Sequence, residues 1–186
     1  MVTSGNVYFS GKPKWQRMGR RAISMVTEPL ATRGSVFQPI LSAKCIGCEF
    51  FSVCIGTLRP LVSYRVLATR KHFNLCPALA ERMQVVEVEE LPFRVILDIR
   101  VAIPGASVRY SKPACDDEAR EKYPLECDPV YVEEGEKITV LRRVSKVSDR
   151  LCLCEVEATG QPSPRLWILA KHLLAQRKPP EEPPPP

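Results

Sequence analysis

The sequence has few of the residues on which familiar enzymes depend. It holds only 2 histidines among 186 residues. No paired-histidine metal motif, phosphate-binding glycine loop, dinucleotide glycine fingerprint or nucleophile elbow occurs in it. No apolar run approaches the roughly 18 residues that a membrane-spanning helix needs, and the N-terminus lacks the apolar core of a signal peptide. These absences disfavour hydrolytic or transfer catalysis, leave any enzymatic role uncertain, and predict a soluble, cytoplasmic protein with no membrane partner.

The net charge of +6 is concentrated at the N-terminus, because residues 1–24 contain five basic residues and no acidic one. That segment has no sustained apolar period, so we predict a disordered basic head, which fits a nucleic-acid tether or a plain unstructured leader. At the other end, residues 179–186 are rich in proline and are predicted to form a disordered tail. The two histidines, His72 and His172, are isolated and are expected to be ordinary solvated side chains.

Most of the chain is predicted to form β-strands. The clearest is 93–102, where apolar and polar side chains alternate with the two-residue period of a half-buried strand. Its predicted inward residues are Phe93, Val95, Leu97, Ile99 and Val101. Further strands are predicted at 61–69, 84–89, 107–110, 137–144 and 151–156. Only 164–176 has helical spacing. The sequence therefore predicts a mainly β (α+β) fold, a small β-barrel-like body with one C-terminal helix.

The two halves of this body have a similar order of features. In each half a cysteine cluster is followed by a turn, a strand, another cysteine and another strand, which indicates an internal repeat. We therefore expect a first cysteine-containing β module at 25–111, a second, degenerate one at 112–160, and the C-terminal helix at 161–178.

The cysteines are the strongest chemical signal. Eight cysteines in a chain without an export signal favour metal binding over disulfides, because a reducing cytosol keeps thiols free. The first four are Cys45, Cys48, Cys54 and Cys76. The two-residue gap between Cys45 and Cys48 lets both thiolates turn towards one centre, and Gly47 is expected to supply the necessary backbone freedom. These four residues are the predicted ligands of a first metal site.

The spacing of the first set favours an iron–sulfur cluster over zinc. Structural zinc usually takes two close pairs of ligands, and Cys54 with Cys76 is not a close pair. A [4Fe–4S] cluster takes three ligands from one loop and a distant fourth, often just before a proline, as at Cys76-Pro77. The predicted cofactor is a [4Fe–4S] cluster, with zinc as the alternative.

Several segments around these cysteines resemble a known family. They are Cys45-x2-Cys48-x5-Cys54, VSYRVLATRKHFNLCP, QVVEVEELPFRVILDIR and IPGASVRY. Together they are similar to the archaeal group catalogued as Uncharacterised Protein Family 0179, over about Leu30 to Val147. The resemblance implies a small protein with two cysteine clusters and brings no established activity. The short motif alone also resembles the iron–sulfur loops of certain nucleases and radical enzymes, at that one loop only.

The second cysteine set departs from this family pattern, because no cysteine lies between Cys115 and Cys127. Cys152 and Cys154 are two apart on a predicted strand, so both should face the same side, either as ligands or as core residues. The four residues Cys115, Cys127, Cys152 and Cys154 are the candidate second metal site. The acidic residues near Cys115 and Cys127 would disfavour thiolate formation there.

A group of basic residues lies close in sequence to the first cysteine set. Arg59, Arg65, Arg70 and Lys71 are the candidate nucleic-acid-binding residues, with Tyr64 and Phe73 as stacking surfaces or as core. We therefore expect a non-catalytic, metal-cluster-binding module associated with RNA or a ribonucleoprotein. The alternatives are an electron-transfer or redox-sensing iron–sulfur protein and a zinc-stabilised scaffold for protein partners.

Overall fold

The computed structural model describes residues 19–176, and side chains up to Lys171. The basic head up to residue 18, the proline-rich tail and the side chain of His172 lie outside the described residues. The prediction of a disordered head was wrong at its C-terminal end, because a strand begins at Arg21 and Ser24 is fully buried. None of the helices formed by the described residues is both long and apolar enough to span a membrane.

The fold is mainly β, as predicted, with 39% strand and 18% helix. The strands are β1 Arg21–Thr27, β2 Val36–Phe37, β3 Tyr64–Cys76, β4 Glu81–Glu90, β5 Phe93–Asp98, β6 Ser107–Arg109, β7 Lys137–Lys146 and β8 Leu151–Ala158. The helices are α1 Phe51–Cys54, α2 Asp117–Lys122, α3 Pro124–Cys127 and α4 Arg165–Gln176, with 3-10 turns at Glu28–Leu30 and Ala43–Cys45. The six predicted strands and the C-terminal helix are therefore present, whereas β1 and β2 were missed.

The strands form two antiparallel four-stranded sheets that repeat the same topology. The first has the order β1-β4-β3-β2 and the second β5-β8-β7-β6, so each second-half strand takes the place of the strand four positions earlier. The repeat extends to single hydrogen bonds: Gly34 N and Gly105 N donate to the carbonyls of Val66 and Val140. Both glycines have positive φ, +93° and +85°, which L residues rarely adopt. The chain is therefore an internal duplication.

The boundary between the halves lies at residues 91–92, not at residue 111. β5 and β6 pair with β8 and β7 and so belong to the second sheet. The prediction used cysteine positions to divide the chain, and no cysteine marks the true boundary. The strand predicted at 93–102 also ends early, at Asp98, and Val101 is 44% exposed because the chain turns there.

One hydrophobic core joins the halves. Tyr64, Val66 and Val88 from the first sheet pack with Val95, Val140 and many other second-half residues. A smaller cluster lies on the opposite face of the second sheet and includes Ile96, Leu151 and Leu153. Helix α4 is fixed by Trp167, whose indole Nε1 donates to the carbonyl of Leu58 at 2.9 Å. This shared core leaves the other face of the first sheet free to carry a site.

Candidate metal centre

The structure brings the first four cysteines together at one pocket. Cys45 ends a 3-10 turn, Cys48 follows in a loop, Cys54 ends α1 and Cys76 ends β3. All four thiols are free and partly exposed, and all four residues line the same pocket. One short segment, residues 45–54, thus contributes three sulfur atoms, and the distant Cys76 contributes the fourth.

Local hydrogen bonds shape the cysteine loop. Cys48 N donates to the carbonyl of Cys45 at 3.1 Å, which folds the two-residue gap back on itself. Ser42 N donates to Cys45 Sγ at 3.4 Å. Gly47 shows neither a positive φ nor a close contact, so the expected role for it was wrong. The close approach is at Gly56 instead, where a Cβ would lie 2.9 Å from the Phe51 carbonyl oxygen.

The pocket walls are mostly apolar. Phe50, Phe51 and Ile55 come from the loop and α1, and Met25 and Met83 come from β1 and β4. Burial, followed by the neighbouring Cys76, Cys45 and Cys48, raises the pKa of the Cys54 thiol to about 12. A thiol with such a pKa is protonated at neutral pH, so a bound cation would have to displace that proton.

The four thiols line one pocket, but they do not form a tight group around a single point. Within residues 19–176, no three histidine, cysteine, aspartate or glutamate side chains form a group that could hold a metal ion. A single tetrahedral ion requires metal–sulfur distances of about 2.3 Å, and hence a tight group of sulfur atoms. The four thiols of the described residues therefore do not form the tight group that a single zinc ion requires.

The structure does not bring the second cysteine set together. Cys115 and Cys127 form a disulfide with a Cα–Cα distance of 6.0 Å, and they pack in the small cluster on one face of the second sheet. Cys152 and Cys154 lie on β8 and face the main core on the other side, with their sulfur atoms 3.2 Å apart. The predicted second metal site is thus corrected to a disulfide and a buried thiol pair, separated by the sheet.

The thiols of Cys152 and Cys154 are buried and therefore shielded from reagents in the solvent. Burial, followed by the hydrogen bond and charge of Cys152, raises the pKa of the Cys154 thiol to about 12. The prediction that the two thiols share a face was right, since side chains two apart on a strand point the same way. That face is the core.

Arg59 was expected at a nucleic-acid surface, but its side chain is fully buried. Nε donates to Glu90 at 3.1 Å, and Nη1 donates to the Tyr131 carbonyl at 2.9 Å. Both Nη atoms donate to the carboxylate of Glu136, and Nη2 also donates to the Gly160 carbonyl at 3.1 Å. All five N–H donors of the guanidinium are therefore used, and none is available to a ligand.

This network ties the two halves together. Burial acts to lower the pKa of Arg59, but the hydrogen bond to Glu136 and the charges of Glu90 and Glu136 outweigh it, so the pKa lies above its ordinary value. Tyr64, the predicted stacking residue, is also buried, and its hydroxyl donates to Glu90 at 2.8 Å. The distribution of charge along the sequence does not predict this network, because Glu136 lies 77 residues from Arg59.

The other candidate basic residues are at the surface. Arg65 is exposed and pairs with Glu89 at 3.6 Å. The register of β3 on β4 shifts between Thr69 and Phe73, so residues 70–72 bulge out of the ladder. Arg70, Lys71 and His72 are all exposed there, as expected for a solvated histidine. Phe73 is 36% exposed and lies 3.9 Å from the Arg82 guanidinium carbon.

Comparisons with known proteins agree with the resemblance seen in the sequence. A UPF0179 protein of Methanothermobacter thermautotrophicus is 31% identical over 67% of this chain and 84% of its own. A UPF0179 protein of Pyrococcus horikoshii is 30% identical over 67% and 87%. A UPF0179 protein of Pyrobaculum neutrophilum is 27% identical over 78% and 86%.

The family model described as Uncharacterised protein family (UPF0179) matches residues 22–159, which is longer at both ends than the resemblance seen in the sequence. The match therefore includes both sheets and all eight cysteines. No solved structure matches the chain. Since the model covers most of the chain, this protein belongs to the Uncharacterised protein family (UPF0179).

Proposed function

We propose that the protein is a non-catalytic module that holds a [4Fe–4S] cluster through Cys45, Cys48, Cys54 and Cys76. The observation that supports this proposal is the presence of four free thiols around one pocket, three from residues 45–54 and one from Cys76. Four cysteine thiolates are the usual ligands of a cubane cluster. When bound, the cluster would supply an inorganic, redox-capable centre to the first half.

The lack of a tight ligand group among the described residues favours a cluster over zinc. A cubane is wider than a single ion, so its ligands need not form the tight group that zinc requires. The apolar walls would limit water, and the N–H of Ser42 directed at Cys45 Sγ would stabilise a thiolate. Lys44 also lines the pocket. Its positive charge would offset part of the net charge of about −2 that a cluster with four thiolates carries.

Metal analysis of anaerobically purified full-length protein tests the proposal. We expect a brown protein with a broad visible absorption, and about four iron and four sulfide per chain. Cys54→Ser and Cys76→Ser should lose most of both. Cys152→Ala, which removes a buried thiol of the second half, is the matched control and should keep them.

Two results would overturn the cluster. Zinc without labile sulfide would replace it by the zinc alternative. A colourless protein that carries no metal and stays folded after chelator treatment would remove the metal centre altogether.

We further propose that the partner is RNA, free or in a ribonucleoprotein. The supporting observation is the bulge at residues 70–72, which exposes Arg70 and Lys71 beside the half-exposed ring of Phe73. Cationic groups next to an aromatic surface suit single-stranded nucleic acid. Filter binding across a salt series tests this. Retention that weakens with salt supports the proposal, and no retention at low salt excludes it.

The alternative is electron transfer or redox sensing, and the partial exposure of all four pocket cysteines is compatible with it. Voltammetry of the loaded protein separates the two roles. A reversible signal in the physiological range together with no RNA retention would favour the redox role. The proposal includes a cytoplasmic location, because six cysteines of the described residues are free thiols, and it treats the Cys115–Cys127 disulfide as the exception.

A further inference from the structure

A groove with a volume of about 410 Å³ opens beside β1, the edge strand of the first sheet. It is lined by three arginines, Arg20, Arg21 and Arg70, and by one carboxylate, that of Glu87. Sequence reasoning placed Arg20 and Arg21 in a disordered head, and only the structure brings them to Arg70. The groove therefore has an excess of guanidinium groups over carboxylates.

The three arginines are held to different degrees. The guanidinium of Arg20 is fixed, since Nη2 donates to the Thr57 carbonyl at 2.7 Å and to Glu90 at 3.0 Å. Arg21 is about half exposed and contacts Glu87 at a long 3.4 Å. Arg70 enters from the bulge, where its backbone carbonyl accepts a hydrogen bond from Gln84. A phosphate in the groove would therefore meet the fixed guanidinium of Arg20 and those of Arg21 and Arg70, and guanidinium groups bind phosphate through paired hydrogen bonds.

The floor and the rim of the groove suit a nucleoside. Ala22, Ile23 and Val53 supply apolar surface, and Val53 is 49% exposed. A base ring can lie on such a surface. Gln161 lies exposed at the rim, and its amide can both donate to and accept from a base edge.

We propose that this groove binds a nucleoside phosphate unit, presented by single-stranded RNA. The inference rests on the proposed association with RNA and is independent of the cluster. It names Arg70, Arg21 and Arg20 as phosphate contacts, the apolar floor as the base surface, and Gln161 as the group that reads the base.

The groove and the thiol pocket are neighbours along β1 and α1. On β1, Ile23 lines the groove and Met25 lines the pocket, and on α1, Val53 lines the groove and Cys54 the pocket. An occupant of the groove would therefore lie against the helix that carries Cys54.

The test is fluorescence anisotropy with the full-length protein as purified anaerobically, using a labelled 12-nucleotide oligo-uridine RNA. Arg70→Glu should lower the affinity at least tenfold and reduce the salt dependence by about one counterion. Gln161→Ala should lower it by a smaller factor. Arg150→Glu makes the same charge change in an exposed turn of the second half and should stay within twofold of the parent protein.

Free uridine monophosphate is the second probe. Displacement of the labelled RNA by millimolar uridine monophosphate supports a site for a single nucleoside phosphate. Binding of the monophosphate without binding of the RNA would identify the free nucleotide as the ligand.

The failures are distinguishable. If the parent protein does not bind the RNA at low salt, the RNA association is wrong. If it binds but Arg70→Glu binds equally well, the RNA lies elsewhere and only the groove is excluded. The iron and sulfide contents of the same samples test the proposed cluster separately.

Discussion

The two halves of this protein share a strand order but use their cysteines differently. Cys54 lies ten residues before the first residue of β3, and Cys127 lies ten residues before the first residue of β7. In the first half this position carries a free thiol at an open pocket, and in the second it carries a disulfide. The duplicated scaffold therefore supports two chemistries. One leaves sulfur available to a ligand, and the other uses sulfur to hold the chain together.

The largest expected difference between the halves is in thiol reactivity. In metal-free folded protein, iodoacetamide should label the partly exposed Cys45, Cys48 and Cys76. Cys152 and Cys154 are buried, so their labelling requires unfolding and should be slower by at least about a thousandfold. Mass spectrometry of peptides after timed labelling measures both rates. Equal labelling of the two groups would contradict the burial described here.

Within the same experiment, the labelling of Cys54 should be slow at neutral pH and should rise with pH. Burial and the neighbouring thiols raise its pKa to about 12. Because the thiolate is the nucleophile, its labelling rate should rise about tenfold per pH unit from pH 8 to 11. A rate that levels off near pH 9 would indicate an ordinary pKa.

The next largest effect should be on stability, when the Arg59 hydrogen bonds that connect the two halves are removed. Arg59→Met leaves the carboxylate of Glu136 without its arginine, and that of Glu90 with Arg20 as its cationic partner. We expect the free energy of unfolding to fall by about 3–5 kcal/mol. Urea denaturation followed by circular dichroism measures it. Arg65→Met, an exposed arginine of the same half, is the control, and a similar small loss in both would contradict the role of Arg59.

Reduction should destabilise the protein through the disulfide of its second half, which has no counterpart in the first. Opening the Cys115–Cys127 disulfide removes a cross-link across a short loop, which is worth about 3 kcal/mol. Urea denaturation with and without a phosphine reductant should show this loss in the parent protein. In Cys127→Ser the reductant should change nothing, and an unchanged parent protein would show that the disulfide contributes little.

The smallest effect should be equal in the two halves. Arg65 and Glu89 form a cross-strand pair on β3 and β4, and Arg142 and Glu155 form one on β7 and β8. All four side chains are at least partly exposed to solvent. Arg65→Ala and Arg142→Ala should therefore each cost at most about 1 kcal/mol, and less in high salt. A much larger loss in one half would show that its pair is not a surface pair.

Sequence patterns predicted the features that depend on neighbouring residues. Alternation identified the strand at 93–98, and the spacing of Cys45 and Cys48 predicted that they turn towards one place. β1 was missed because its inward positions include Ser24, so its apolar alternation is broken. The fold class was accessible because a two-residue period is a local property.

Features that depend on distant residues were not accessible. Cys115 and Cys152 look alike in sequence, but a sheet separates them, and only the topology shows this. Arg59 looks like any surface arginine, whereas its carboxylate partners lie 31 and 77 residues away. The groove joins residues 20–23 to Arg70 and Gln161, a combination that no spacing rule predicts.

The position of Arg59 has a consequence for the order in which the chain is made. A ribosome delivers this arginine before Glu90, and well before Tyr131, Glu136 and Gly160, the groups that complete its hydrogen bonds. Until the second sheet emerges, the nascent chain must keep that guanidinium in water. The internal duplication therefore does not yield two separately foldable halves: the earlier copy reaches its final interior only when the later one is synthesised.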